Sequence, residues 1–333
     1  MTRREIIKQG GIAYLAMTLP LSSKSFSKYD HMSDKNNFDV IIIGGSYAGL
    51  SAAMSLGRSL RNVLIIDGGM PCNRQTPYSH NFITHDGVKP SEISKNAKAQ
   101  VLKYESVKYL DGLAISGEKT EDDFVITTQS KEVFKAKKLV FATGIEDIMP
   151  EINGFSKCWG ISIVHCPYCH GYEIRKQKTA IIANGSGAFQ LAPLVKNLTD
   201  DLTILTSGKA DFDEEQKKKL NKHKINIIEK EIAEIEHEEG QLKTIIFKDS
   251  SKVDFSAAYG IVPFKQHSDI PGALGCELNE EGYIKVDQFQ KTTLEGVYAC
   301  GDNASMIRSI ANAVYQGNLA GAIANMELTH QTF

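Results

Sequence analysis

An α/β fold of two three-layer, nucleotide-binding domains is what the sequence predicts, on three observations. First, a β-branched run at Phe38–Ile43 (FDVIII) ends in Gly44-Gly45, then a small-residue helical segment from Leu50 to Leu60 leads into an apolar strand, Val63 to Ile66. Second, the same order recurs at Thr179–Ile182 (TAII), Gly185-Ser186-Gly187, the helical segment Ala188 to Lys196 and the strand Leu202 to Leu205. Third, 333 residues are enough for two cores, since globular domains hold about 100–200 residues each. Strand, glycine turn, helix, strand is the grammar of a Rossmann-like unit, and here it occurs twice.

The N-terminus stands apart from these units. Thr2-Arg3-Arg4-Glu5-Ile6-Ile7-Lys8 precedes a modestly apolar run, Gly11 to Leu21, that is too short to span a bilayer as a helix, so no membrane partner is expected. It reads as a twin-arginine export signal with a periplasmic destination, although no Ala-x-Ala cleavage site follows. The alternative is translation from Met32, giving a cytoplasmic protein; on either reading residues 1–33 are a targeting segment or extension outside the fold.

The first turn, Gly44-Gly45-Ser46-Tyr47-Ala48-Gly49, sits where a strand hands over to a helix, with Asp67 closing the next strand. Gly44 permits the tight turn, Gly49 lets helix and strand approach, and the helix start offers N–H groups to a pyrophosphate. Asp67 is placed to accept ribose hydroxyls, and Ser46 stands where the fingerprint has its second glycine. Next come an alternating stretch, Lys138 to Gly144, and a meander expected from Ile225 to Phe255 with a turn at Glu239-Gly240. The acidic run Glu229 to Glu239 alternates with Ile232, Ala233 and Ile235, which reads as a wet strand face. Near the end a strand (VYACGD) closes on Gly301-Asp302 before a helical pattern from Met306 to Ala324. Asp302 there serves a flavin's ribityl and phosphate region, caps the helix, or both.

Composition narrows the function. With 38 Lys+Arg against 40 Asp+Glu, the net charge of −2 provides no basic field for nucleic acid. Six cysteines are too few and too scattered for a disulfide scaffold, and only Cys166 and Cys169 are close. They sit in His165-Cys166-Pro167-Tyr168-Cys169-His170, which is open to three chemistries: a metal clamp, a structural disulfide or an electron relay. The metal is the poorest of these, because four adjacent ligands cannot easily surround one tetrahedral ion, and no metal site is expected. A thiolate at a helix start gains from the macrodipole and the free N–H groups. Cys158, Cys276 and Cys300 read as buried small residues, and Cys72 as a loop residue near a cofactor.

Gly44 to Gly49, Asp67, Ala142-Thr143-Gly144, Cys166-x-x-Cys169 and Gly301-Asp302, in this order over residues 37–328, resemble the thioredoxin reductase family of FAD-dependent disulfide oxidoreductases. The wording CPYCHGYE, the GGSYAGL turn and the segment from Cys72-Asn73-Arg74 to Asp86-Gly87 are more similar to its dithiol oxidase branch. The resemblance implies an FAD domain of residues 37–149 plus 256–330, with the second domain, 150–255, inserted in the first and carrying the dithiol. It implies a homodimer with FAD held by Gly44, Gly45, Ser46, Gly49, Asp67 and Asp302. Asn81 would lie near the flavin edge, Thr143 and Gly144 beside FAD, and Arg308, Ser309 and Ile310 against the ring, with Ser309 replacing the family's Gln. Cys169 would face the flavin, Cys166 would exchange with substrate, and His170, where relatives carry an acid, would move protons, with His165 as a second candidate.

The second glycine turn departs from the family. Ala183 replaces its first glycine, the Gly-x-x-Pro element reads Gly260-Ile261-Val262-Pro263, and after Leu205 the family's His-Arg-Arg cluster is absent, leaving Lys209. Without that guanidinium pair, binding of a 2′-phosphate should be poor. The expected function is therefore an FAD-dependent thiol/disulfide oxidoreductase that oxidises a small-molecule or protein dithiol, with oxygen or another acceptor. The alternatives are a thioredoxin-disulfide reductase driven by NADPH or NADH, and a flavin-bound sensor or docking module.

Overall fold

The computed structural model describes residues 34–333, so the expected targeting segment, residues 1–33, lies outside the described residues. In chain order the first part runs β1 (Asn37–Ile43), α1 (Tyr47–Arg58), β2 (Val63–Asp67), α2 (Pro90–Val101), β3 (Val107–Asp111), β4 (Ala114–Lys119), β5 (Phe124–Thr128), β6 (Val133–Phe141) and β7 (Ile145–Asp147). The middle part runs α3 (Phe155–Cys158), β8 (Ile163–Val164), α4 (Pro167–His170), β9 (Thr179–Ile182), α5 (Gly185–Lys196), β10 (Leu202–Leu205), α6 (Glu214–Lys222), β11 (Asn226–Ile228), β12 (Ile232–Glu238), β13 (Gln241–Phe247), β14 (Lys252–Asp254) and β15 (Ala257–Gly260). The chain ends with β16 (Phe264–Gln266), α7 (Ile270–Leu274), β17 (Val297–Ala299) and α8 (Ile310–Thr332).

β1 is a continuous β-branched run because both of its faces are covered. Val40 and Ile42 point into one apolar cluster with α1 and α8, while Phe38, Ile41 and Ile43 point into another with Phe124, Ile126 and Ile270. The result is a seven-stranded sheet ordered β3-β2-β1-β6-β5-β4, with β17 also on β6. β1, β2, β3, β6 and β17 run parallel, and β5 runs antiparallel to its two neighbours, β4 and β6. A second, five-stranded parallel sheet, β11-β10-β9-β15-β8, and the antiparallel β12-β13-β14 come from the middle of the chain. The chain leaves and re-enters the first sheet through the antiparallel ribbon β7–β16. Asn36 to Phe333 form one compact unit.

α1 and α8 pack unusually closely, and this places the site. A Cβ at Gly317 would lie 2.0 Å from the Ala48 carbonyl oxygen, and one at Gly321 would lie 2.5 Å from that of Ala52. The i, i+4 glycines of one helix thus meet the i, i+4 alanines of the other, and Ser51 Oγ donates to the Val314 carbonyl at 2.7 Å. Both helix N-termini consequently open at the carboxyl end of the parallel strands, where α/β sheets bind ligands.

Several boundaries differ from expectation. α1 and α5 begin at Tyr47 and Gly185, not at Leu50 and Ala188, because apolar periodicity does not register the small residues of a first turn. α8 begins at Ile310 rather than Met306, because Ser309 Oγ accepts the Asn312 N–H and caps it there. The meander is confined to β12–β14, since β11 joins the parallel sheet beside β10. The turn at Glu239 (φ 50°) and Gly240 (φ 82°) has both residues at positive φ, as a two-residue hairpin requires. The acidic strand face is solvated and paired, Glu236 to Lys252 at 3.0 Å and Glu238 to Lys243 at 3.6 Å.

Candidate active site

The first glycine turn is built by steric necessity. Gly44 sits at φ +104° with its would-be Cβ 2.2 Å from the Ala142 carbonyl oxygen, and a Cβ at Gly49 would lie 1.8 Å from that of Gly44. No larger residue fits either place without moving backbone. Gly45 N–H donates to Asp67 Oδ1 at 3.0 Å and the Tyr109 hydroxyl to Oδ2 at 2.5 Å, so the carboxylate is oriented before any ligand arrives. Ser46 is the N-cap of α1 but makes no side-chain cap bond, which leaves the first-turn N–H groups available to an anion.

In front of this turn lies a cavity into which the sequence-predicted Ser46, Thr143, Gly144, Asp302, Arg308, Ser309, Ile310, Cys169 and His170 all converge. Gly44, Gly45, Gly49 and Asp67 stand behind it and shape the turn. Asn81 does not line it: the residue is exposed at φ 58°, its N–H donates to Asp86 Oδ1 at 2.8 Å, and its neighbours Ser79 and His80 reach the cavity instead. Cys166 does not line it either, so only one sulfur of the dithiol faces in. The residues present fit FAD. The turn is a cradle that a Cβ would fill, the α1 start is uncapped, and His165 Nε2 on the cavity wall is buried without a hydrogen-bond partner.

Cys166 and Cys169 are joined as a disulfide. Cys166 is the N-cap of α4, and its Sγ accepts the Cys169 N–H at 3.1 Å. α4 has only four residues. The stabilisation expected from a helix macrodipole is accordingly replaced by this single donor, since the dipole needs aligned peptides. Gly171 is required beneath the pair: a Cβ there would lie 2.3 Å from the Pro167 carbonyl oxygen and 2.9 Å from the Tyr259 hydroxyl. Burial pushes His170 down to about 4, with His80 adding to it. Burial likewise pushes His165 down to about 4, with Arg308 and His170 adding to it. Both imidazoles are therefore neutral bases at pH 7.

Asp302 is not a helix cap, because the chain from 302 to 308 loops before Ser309. Burial raises its carboxyl, and it accepts from Cys72 Sγ at 3.5 Å. Cys72 is exposed as a residue, but crowding around its sulfur and the neighbouring Asp302 carboxylate disfavour its thiolate. Cys158, Cys276 and Cys300 are buried. Ser309, expected against the ring, lines the cavity while its hydroxyl caps α8.

Sequence reasoning named Arg308 but missed Asp147, Trp159 and Asn303, which hold this arrangement together. Arg308 forms a two-pronged ion pair with Asp147, Nη1 to Oδ1 at 2.8 Å and Nη2 to Oδ2 at 3.0 Å. Asp147 Oδ2 also accepts the Trp159 indole N–H at 3.1 Å. Asn303, fully buried, donates to the Phe141 carbonyl at 2.9 Å and to Thr143 Oγ1 at 3.2 Å. None of these carries a local sequence signal; each is defined by a partner far along the chain.

The second glycine turn is occupied by its own chain. Asn184 Oδ1 accepts the N–H groups of Gly185 (2.8 Å) and Asp211 (2.9 Å), and Asn184 Nδ2 donates to the Lys209 carbonyl at 2.8 Å. A Cβ at Gly185 would lie 3.4 Å from Asp211 Oδ2, which places a carboxylate at the start of α5. The Ile261 side chain would stand 3.1 Å from a Cβ on Gly187. Glu229 Oε1 accepts the Ala210 N–H at 2.6 Å, adding a second carboxylate to the loop where the arginines are missing.

Comparison with known proteins agrees with this architecture. The sequence profile described as pyridine nucleotide-disulphide oxidoreductase matches residues 38–317. The chain is 32% identical to the thioredoxin reductase tcpT of Claviceps purpurea, over 89% of this chain and 96% of that protein. Among solved structures it is similar to a putative thioredoxin reductase from Bacillus anthracis (TM-score 0.85, 30% identity, 89% of this chain and 100% of that one). It is also similar to an oxidoreductase from Agrobacterium tumefaciens (TM-score 0.83, 33% identity, 88% and 99%). The chain belongs to the pyridine nucleotide-disulphide oxidoreductase family, as an FAD-binding oxidoreductase enzyme of the thioredoxin reductase type.

Proposed function

We propose that this enzyme oxidises a dithiol substrate at Cys166–Cys169 without a nicotinamide donor. One observation carries the reading: the dithiol and its cavity are complete, whereas the second nucleotide turn is filled by Asn184 and faced by Asp211. A carboxylate at that helix start repels a pyrophosphate where the first turn, with its uncapped α1, would attract one.

The chemistry available to the side chains is thiol–disulfide exchange. A substrate thiol gives its proton to neutral His170; its sulfur attacks Cys166 Sγ, and the Cys166–Cys169 bond breaks with the electron pair on Cys169. The second substrate thiol gives its proton to solvent and attacks the substrate sulfur bound to Cys166, which closes the substrate disulfide and releases Cys166 as the leaving thiolate. Two electrons and two protons leave the substrate, and both enzyme sulfurs are reduced. The Cys169 N–H that rests on Cys166 Sγ stabilises that sulfur as a thiolate. When bound, FAD supplies the two-electron acceptor that restores the disulfide, and oxygen or another acceptor takes the electrons onward.

The names of the relatives favour a second reading, reduction of thioredoxin or another disulfide by NADPH or NADH. Anaerobic titration of the yellow protein with NADPH, NADH and dithiothreitol in turn separates the two. We expect bleaching by the dithiol alone, and its loss in Cys169→Ser. Fast bleaching by NADPH reverses the assignment, and undiminished dithiol bleaching in Cys169→Ser removes the relay.

A further inference from the structure

The exchange just described delivers protons to a base that is poorly suited to keep them. His170 is half-buried and shares its cavity with His80 from the 79–88 loop and His165 from the end of β8, and burial disfavours its protonated form. A proton left on it would block the next turnover, so it must have an onward path.

His80 is built to provide one. It shares the cavity wall with His170, and its Nδ1 lies 3.6 Å from Asp86 Oδ1 and 3.6 Å from Glu173 Oε1. The His80 side chain is 19% exposed, while Asp86 is 70% and Glu173 39% exposed, so the three run from the cavity to open solvent. Both carboxylates are placed by backbone. Asp86 Oδ1 accepts the Asn81 N–H, and the loop is pinned by Ser79 N–H to the Val88 carbonyl (2.9 Å) and Gly87 N–H to the Ser79 carbonyl (2.8 Å). Glu173 stands one turn beyond His170, its N–H donating to the His170 carbonyl at 3.2 Å. With Nδ1 toward the carboxylates, Nε2 is the nitrogen left for the cavity.

We propose that His80, backed by Asp86 and Glu173, takes the proton that His170 removes from a substrate thiol and passes it to solvent. His80 acts through His170 and is thus a positioning and relay residue, not one that touches the reacting sulfurs. The assignment rests on the dithiol-oxidation reading above. No bond other than N–H and O–H changes in the relay: the proton leaves His170, enters His80 at Nε2, and an equivalent proton leaves Nδ1 through the carboxylates.

The test follows disulfide reduction directly rather than turnover. Oxidised holoenzyme is mixed anaerobically with dithiothreitol, quenched with an alkylating agent, and the labelled Cys166 and Cys169 are counted by mass spectrometry from about pH 5.5 to 9. Wild type is compared with His80→Gln and with Asp86→Asn/Glu173→Gln, whose substituted carboxylates are at the surface. His80→Gln should be slower by about tenfold at and below neutral pH, recover toward wild type at the alkaline end, and regain rate with added imidazole. The double carboxylate variant should show the same pH-dependent shape with a smaller loss. A loss of equal fraction at every pH, no loss, or no response to imidazole overturns the relay while leaving dithiol oxidation standing. A wild-type disulfide that dithiothreitol does not reduce at any pH removes the parent reading, and the relay with it.

Discussion

Replacing Asp147 with Ala tests whether the Arg308 ion pair holds the cavity together. The Asp147 and Arg308 side chains are 8% and 14% exposed, so the pair is not in the solvent-screened class. Asp147→Ala removes both charge-assisted bonds to Arg308 and the acceptor of the Trp159 indole, leaving a buried guanidinium with Asp302 alone, at 3.5 Å from Nε. Stranding one partner of a buried pair costs about 3–5 kcal/mol, and the remaining Asp302 favours the low end, about 3 kcal/mol. A guanidinium stays protonated in proteins, so deprotonation offers no relief. For a chain of this size the loss corresponds to a midpoint about 4 °C lower. Urea unfolding of wild type, Asp147→Ala, Arg308→Met and the double variant forms the cycle. The double variant should be more stable than the sum of the singles by about 2 kcal/mol, because it strands no charge. A cost below about 1 kcal/mol for Asp147→Ala, or strict additivity, would refute the reasoning.

Two further outcomes follow from local geometry. Glu327 accepts from Lys138 (3.1 Å), Lys291 (2.6 Å) and the Tyr298 hydroxyl (2.5 Å). Burial would raise its pKa, but these partners outweigh it and hold it down at about 2. A depressed carboxyl stabilises the fold above its unfolded pKa, near 4.5, and loses that contribution as pH falls toward about 2. Glu327→Gln should therefore cost roughly 3 kcal/mol at pH 7 and nothing relative to wild type by about pH 2, read from urea midpoints across pH; a constant gap would sink the assignment. Gly49→Ala places a methyl 1.8 Å from the Gly44 carbonyl oxygen, which α1 can relieve only by moving off the turn. Purified Gly49→Ala should lose most of its yellow colour on dilution and gel filtration, whereas full retention of FAD would show the turn to be more compliant than its geometry implies.

Much of the site was legible because its determinants are local. Positive φ at Gly44, the clash that excludes a side chain at Gly49, and β-branched strands buried on both faces act over a few residues, so spacing alone reveals them. The closeness of Cys166 and Cys169 is local too, because one turn of α4 spans both. Asn81 and the start of α8 were misplaced for the complementary reason. A flavin contact was expected of Asn81, but a positive φ turns it outward and its neighbour His80 inward. Helical periodicity from Met306 could not reveal that Ser309 would cap the helix or that Arg308 would be drawn to a carboxylate 161 residues away.

The sequence by itself determined the two strand–turn–helix units, the dithiol and the missing arginines of the second nucleotide turn, because those are properties of neighbouring residues. Only the tertiary structure decided that Asn184 and Asp211 fill that second turn, that Asp147 ties Arg308 to Trp159, and that His80 stands between Asp86 and Glu173. Those contacts depend on which loops two separate sheets bring to one cavity. Their distances are set by long-range packing, which no local spacing encodes.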